Sequence, residues 1–128
     1  MSKPGAFFLS AWLLVCCQNA SGQPSECPSC RAPSYFGGCP ESVLTDPPPG
    51  RIGLSGTVIA VKDLGCRSQI RVNVTRSSAR SLPATIDIEL GPCMLGMLGN
   101  PITGIVSATP APTGVYAAGS DLECFRTK

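Results

Sequence analysis

The stretch ECPSCRAPSYFGGC places three cysteines, Cys27, Cys30 and Cys39, within fourteen residues. A Cys-x-x-Cys spacing with a proline inside it suits three kinds of chemistry. It can be a dithiol redox centre, if its surroundings lower a thiol pKa. It can be half of a tetrahedral zinc site. In an oxidising compartment it can open a disulfide framework. The rest of the chain weighs on the choice. It has no histidine and no second Cys-x-x-Cys, so a four-ligand zinc site is not expected. Dithiol centres open a helix after a strand in a βαβ setting, whereas Cys27 has no strand before it and a Pro-rich loop after it. Without histidine there is no Ser-His or Cys-His nucleophile pair. Asp87 and Glu89 lie two apart on one strand, where the plain reading is a solvated face rather than a paired-carboxylate cleft. The expectation is therefore a non-enzyme with no cofactor and no metal. A thiol-disulfide oxidoreductase using Cys27 and Cys30 stands as an alternative.

The elements that must position these cysteines begin with a leader. Residues 1 to 22 read as a secretory signal peptide. Lys3 supplies the positive start and residues 6 to 17 (AFFLSAWLLVCC) the apolar run. Ala20-Ser21-Gly22 supplies small residues ahead of Gln23, the expected new N-terminus. A membrane span needs about 20 apolar residues, and this run is shorter. Cys16 and Cys17 admit a lipoprotein anchor, but Val15 is not the small residue that such cleavage favours.

Removing the leader leaves one domain, residues 23 to 128, with six cysteines at 27, 30, 39, 66, 93 and 124. An even count in a short secreted chain is the mark of disulfide staples, and a chain with four aromatics (Tyr35, Phe36, Tyr116, Phe125) has few large groups to bury without them. Its nine Lys and Arg nearly balance eight Asp and Glu. It lacks the basic footprint of a nucleic-acid binder and the polybasic patch of a membrane-surface protein. Once the leader is gone, a monomer without membrane attachment is expected, outside the cell.

Residues 23 to 50 are loop-like, closing with Asp46-Pro47-Pro48-Pro49-Gly50, and only ESVLTD (41 to 46) has room for one helical turn. The pattern then turns extended. RIGLSGTVIAVK (51 to 62) is β-branched, with Gly56 marking a bulge or bend. QIRVNVTR (69 to 76) alternates Ile70, Val72 and Val74 against Arg71, Asn73 and Thr75, and ATIDIELG (84 to 91) alternates Ile86, Ile88 and Leu90 against Asp87 and Glu89. PITGIVSA (101 to 108) and TGVYAAG (113 to 119) are weaker strands. Period-two alternation with one polar face predicts antiparallel strands over a single core. The fold class is therefore all-β, a small five-stranded barrel or sandwich. MLGMLGN (94 to 100), apolar but broken by glycine, reads as a loop packed on the barrel rather than a lipid-binding stripe. Asn73-Val74-Thr75 is an N-glycosylation acceptor sequence whose Asn73 points outward if Val72 and Val74 point in.

This layout resembles the netrin-like domain, whose best-known members are the tissue inhibitors of metalloproteinases. The similarity is carried by C27-P-S-C30 with Cys39, then GLSGTVIAV, then GPCMLGMLGNPITGIV around Cys93, and DLECFRT around Cys124, over residues 27 to 127. The resemblance implies an OB-type Greek-key barrel with a disulfide-clamped N-terminal segment, paired Cys27–Cys66, Cys30–Cys93 and Cys39–Cys124. It also implies a protein partner, a secreted metalloprotease, met by the ridge Cys27, Pro28, Ser29 and Cys30. In that family the first mature residue is a cysteine whose free amine and carbonyl chelate the protease zinc. This chain departs from the pattern. Two residues separate its first two cysteines instead of one, the Cys39 to Cys66 interval is short, and Gln23-Pro24-Ser25-Glu26 stand ahead of Cys27. The corresponding alternative is a non-inhibitory extracellular or periplasmic binding module with the same fold.

Overall fold

The computed structural model describes residues 29 to 125. The expected leader, Cys27 and Pro28 lie outside them. The described chain forms seven strands: β1 (Ser34–Tyr35), β2 (Arg51–Asp63), β3 (Ser68–Ser77), β4 (Thr85–Glu89), β5 (Met94–Leu95), β6 (Pro101–Ser107) and β7 (Tyr116–Ala117). A 3-10 turn (Glu41–Leu44) and a short helix, α1 (Asp121–Phe125), complete it. The fold is all-β.

Five strands curl into one sheet in the order β6-β2-β3-β4-β7. An isolated antiparallel bridge, Val106 to Ala118, brings the two ends of that order together. Strand β2 thus pairs with β3 and β6, and β7 lies between β4 and β6, the Greek-key order of an OB-type barrel. Within this sheet all strand pairings are antiparallel except β4 with β7, which is parallel. That departs from the uniformly antiparallel expectation for a topological reason. Direction must alternate around an antiparallel ring, and a ring of five strands leaves one neighbouring pair running the same way.

The alternation seen in the sequence becomes the inside of the sheet. Leu54, Val58, Ile70, Val72, Ile86, Ile88, Leu90 and Val106 are all buried, and no polar or charged side chain is buried with them. A smaller second cluster, which the expectation of one core did not include, forms on the outer side of β6. There Ile105 packs with Val43 of the 3-10 turn and with Cys39 and Cys124. The register of β2 with β3 shifts at Ser55/Gly56, where Gly56 led a bulge to be expected, and again at Val58/Ala60. The last strand is much shorter than residues 113 to 119, because turn chemistry persists further along the chain. The Ala111 amide bonds the Val115 carbonyl, and Gly114 between them has φ +87°.

The N-terminal segment is fastened to the barrel at three levels. Backbone pairing comes first: β1 runs parallel to β5, with Ser34 opposite Met94 and Tyr35 opposite Leu95. The Ser34 amide bonds the Cys93 carbonyl at 3.0 Å, and the Phe36 amide bonds the Leu95 carbonyl at 2.8 Å. Packing comes second. The tip of the Phe36 ring meets Gly104, so close that a Cβ added there would fall 2.5 Å from its Cζ. Gly53 likewise lets the Val43 carbonyl approach β2 where a side chain would collide with it. Covalent closure comes third, through Cys30–Cys93 and Cys39–Cys124, with Cα separations of 5.5 and 5.7 Å.

Candidate functional site

The ridge residues within the described chain, Ser29 and Cys30, are both exposed. Cys30 is bonded to Cys93, 63 residues away. Cys66 is disulfide-bonded as well, and Cys27, the partner that the resemblance implies, lies outside the described residues. Cys30–Cys93 and Cys39–Cys124 are both pairs that the resemblance implies. Because Cys30 bonds Cys93, the C-P-S-C element does not close on itself.

The local geometry around Cys93 is a tight turn. The Met94 amide bonds back to the Gly91 carbonyl at 3.1 Å, Pro92 occupies the second position, and Cys93 has φ +66°. This is the pattern of a type II turn, whose third position favours glycine. Cys93 is the only non-glycine with positive φ among the described residues. The chain therefore accepts a left-handed cysteine at the point where the ridge is tied down.

Opposite this disulfide stands the end of the β2–β3 hairpin. Its tip is closed by the Leu64 amide on the Arg67 carbonyl and by Asp63, whose carboxylate accepts from the Gly65 amide at 3.0 Å. Between tip and ridge is an open cleft of about 510 Å³, lined by Cys30, Pro33, Val61, Asp63, Cys66 and Leu95, among others. Pairing of β2 with β6 stops at Thr57 with Pro101, while pairing with β3 continues to Asp63 with Ser68. The hairpin end therefore projects past the barrel, and every residue from Ile59 to Arg67 is exposed.

Several of these exposed residues are large and apolar. Ile59, Val61, Leu64, Met97 and Leu98 are between 43% and 66% exposed. Hydrogen bonds between Val58 and both Gly99 and Asn100 hold the 97–100 turn beside the hairpin. The expectation that 94 to 100 packs on the barrel is met only in part. Gly96 lies against Ile70 with no room for a side chain, but Met97 and Leu98 point to solvent. Arg67 marks the far rim. It pairs with Glu89 at 2.8 Å, both side chains being more than a third exposed, and it also borders a second cleft of about 600 Å³ against Leu90, Pro92, Val115 and Tyr116.

Other charged groups serve the scaffold. Arg71 and Asp87 face each other across β3 and β4 and form a two-pronged ion pair. The hydrogen bond from Arg71 holds the Asp87 carboxyl below its ordinary value. Arg51 grips Glu123 through two bonds of 2.8 and 3.0 Å, anchoring α1 to β2. Asp121 lies with Cys39 and Cys124 in a cluster whose potential ligand atoms are all within 4.8 Å of one another. Both sulfurs are joined in a disulfide, so neither is a thiolate able to bind a metal. Asp121 instead accepts from the Gly38 amide at 3.3 Å.

Reasoning from sequence placed Cys30 at the site but missed Leu64, Arg67, Met97 and Leu98. One signal for the first two was present: DLGCRS, a turn-like stretch carrying Cys66 between two alternating runs, reads as a hairpin tip that a disulfide must tie to something. Among the described residues, no helix is long and apolar enough to cross a membrane. Compared with known proteins, the chain matches no family model, and a search of curated proteins found no match.

Proposed function

We propose that this chain is a secreted, disulfide-stapled, netrin-like module that acts by binding protein. Its binding edge is the ridge at Ser29–Cys30, the β2–β3 hairpin end and the 97–100 turn. One observation carries this reading. The Cys30–Cys93 bond and the β1–β5 pairing hold residues 30 to 35 beside a projecting hairpin whose apolar side chains face water. Exposed apolar groups on a rigid, cross-linked edge favour association with a partner surface, since the ordering cost is already met within the free protein. The partner class we assign is a secreted metalloprotease, with the ridge entering its active-site cleft.

The test is to secrete the full chain, sequence its N-terminus, and measure inhibition of a panel of metalloproteases. A start at Cys27 with inhibition supports zinc chelation by the terminal amine. A start at Gln23 removes that version and leaves contact through the hairpin and ridge side chains. Retention on a matrix or cell-surface ligand, with every protease in the panel untouched, replaces this reading with a non-inhibitory binding module. The pairing of Cys30 with Cys93 gives no support to a redox centre built on Cys27 and Cys30.

A further inference from the structure

We propose that Asn73 is the acceptor of an N-linked oligosaccharide, carried on the outer face of the β2–β3–β4 sheet. The inference rests on the secretory reading above, because glycosylation of this kind occurs in the eukaryotic secretory pathway.

The geometry supplies what a sugar-bearing asparagine needs. Asn73 is exposed, while its neighbours Val72 and Val74 are buried and partly buried. Its cross-strand partners are Thr57 on β2 and Thr85 on β4. Both are small, so no bulky side chain stands over the position from either side. Thr75, the third residue of the acceptor sequence, is exposed on the same strand at the first register shift. It is the residue left without an opposite number when Gly56 pairs with Val74 and Ser55 with Arg76. In the folded protein its hydroxyl donates to the Ser55 carbonyl at 3.2 Å.

The covalent step balances. The donor is a lipid-diphosphate-linked oligosaccharide. The Asn73 side-chain nitrogen bonds to the anomeric carbon, the sugar–phosphate C–O bond breaks, the lipid diphosphate departs with the electron pair, and one amide proton goes to base. The folded barrel tolerates the product because the carboxamide reaches solvent directly.

The placement also bears on partner choice. At about 3.3 Å per residue, six residues of β3 put Asn73 roughly 20 Å from Arg67 at the rim of the cleft. The glycan would screen the β3–β4 face, a surface that OB-type barrels use for oligonucleotides and oligosaccharides. It would stand nearer to the 97–100 turn, which is held on Val58 beside Thr57, than to the hairpin tip and ridge, which stay open to a protein.

The experiment is expression of the full chain in eukaryotic secretory cells, with medium and lysate collected separately. The expected result is secreted protein whose electrophoretic shift is removed by peptide N-glycosidase, with Asn73 converted to Asp by mass spectrometry. N73Q should lose the shift yet remain in the medium, and T75S should keep it. Because Asn19 also lies in an acceptor sequence, a shift that survives N73Q overturns the assignment. Secreted, unshifted wild-type protein overturns it while leaving the secretory reading intact. Unshifted protein confined to the lysate overturns both.

Discussion

Replacing the Cys30–Cys93 bond tests the link between the fold and the proposed edge. The bond joins residues 63 apart, and a loop of that length restricts the unfolded chain by about 4 kcal/mol in the chain-entropy treatment. With Cys39–Cys124 intact, a shorter closed path runs from Cys30 to Cys39 and back from Cys124 to Cys93, about 40 residues in all, and the logarithm leaves the figure close to 4 kcal/mol. A second effect opposes this loss. Cys93 sits at φ +66°, where a side chain costs about 1 kcal/mol or more relative to glycine. C30S/C93S should therefore lose about 4 kcal/mol in denaturant unfolding, and C30S/C93G should recover about 1 of it. Hydrogen exchange gives the site-specific readout. The Ser34 and Phe36 amides, bonded to Cys93 and Leu95, should exchange by local opening in both variants, while the β3 amides of Ile70 and Val72 should lose protection only in step with the global stability. Unchanged stability in C30S/C93S refutes the claim that this bond fastens the ridge. A glycine variant less stable than the serine variant refutes the argument from the turn.

Other perturbations probe the packing and the charges. Gly104→Ala drives a methyl into the Phe36 ring and should cost about 1–3 kcal/mol by thermal or denaturant unfolding, with Phe36→Leu in the same chain returning part of it. Arg51→Ala and Glu123→Ala should each destabilise by about 1 kcal/mol and be non-additive in a double-mutant cycle, since both side chains are about two-thirds buried and joined by two bonds. The Asp87 carboxyl is held below its ordinary 3.8 by the bond from Arg71, so its contribution is present above pH 3.8 and lost as pH falls through the lower folded value. Asp87→Asn should accordingly flatten the acid limb of a melting-temperature profile by lowering the plateau above about pH 4 while leaving the most acid points unchanged, and the drop should be small, the pair being partly solvent-screened.

Much of the barrel was legible in the sequence because its strands bury one face each. Ile70, Val72, Ile86 and Ile88 announced β3 and β4 by alternation alone. The weaker signals failed where tertiary context decides. Residues 34 and 35 form a strand only because β5 lies alongside, and no periodicity marks a two-residue pair. Residues 101 to 108 read only as a weaker strand, yet Ile105 on its outer side is fully buried, because the 3-10 turn and α1 are drawn over it by Cys39–Cys124. The site was harder still. Its exposed apolar residues belong to the overhang of β2 beyond β6, and strand lengths relative to their neighbours are fixed by register, which a single chain of letters does not display.

That overhang bears directly on how the ridge would engage a protease. An amine chelates zinc only when it is terminal and neutral, because a peptide nitrogen gives its lone pair to resonance with the carbonyl. Cys30 is fixed to Cys93 at the rim of the cleft. If Gln23 is the first residue, four residues precede Cys27 and place the amine up to about 14 Å away from it. Cys27 would then have no terminal amine to offer the metal, and affinity would fall to the exposed Leu64, Met97 and Leu98. If processing instead cuts before Cys27, the amine lies three residues from the anchor, and the exposed apolar groups become flanking contacts around a metal bond. L64A would separate the two cases. It should cost about 2 kcal/mol, roughly thirtyfold, in both, so that measurable binding survives only in the second, where the metal bond remains.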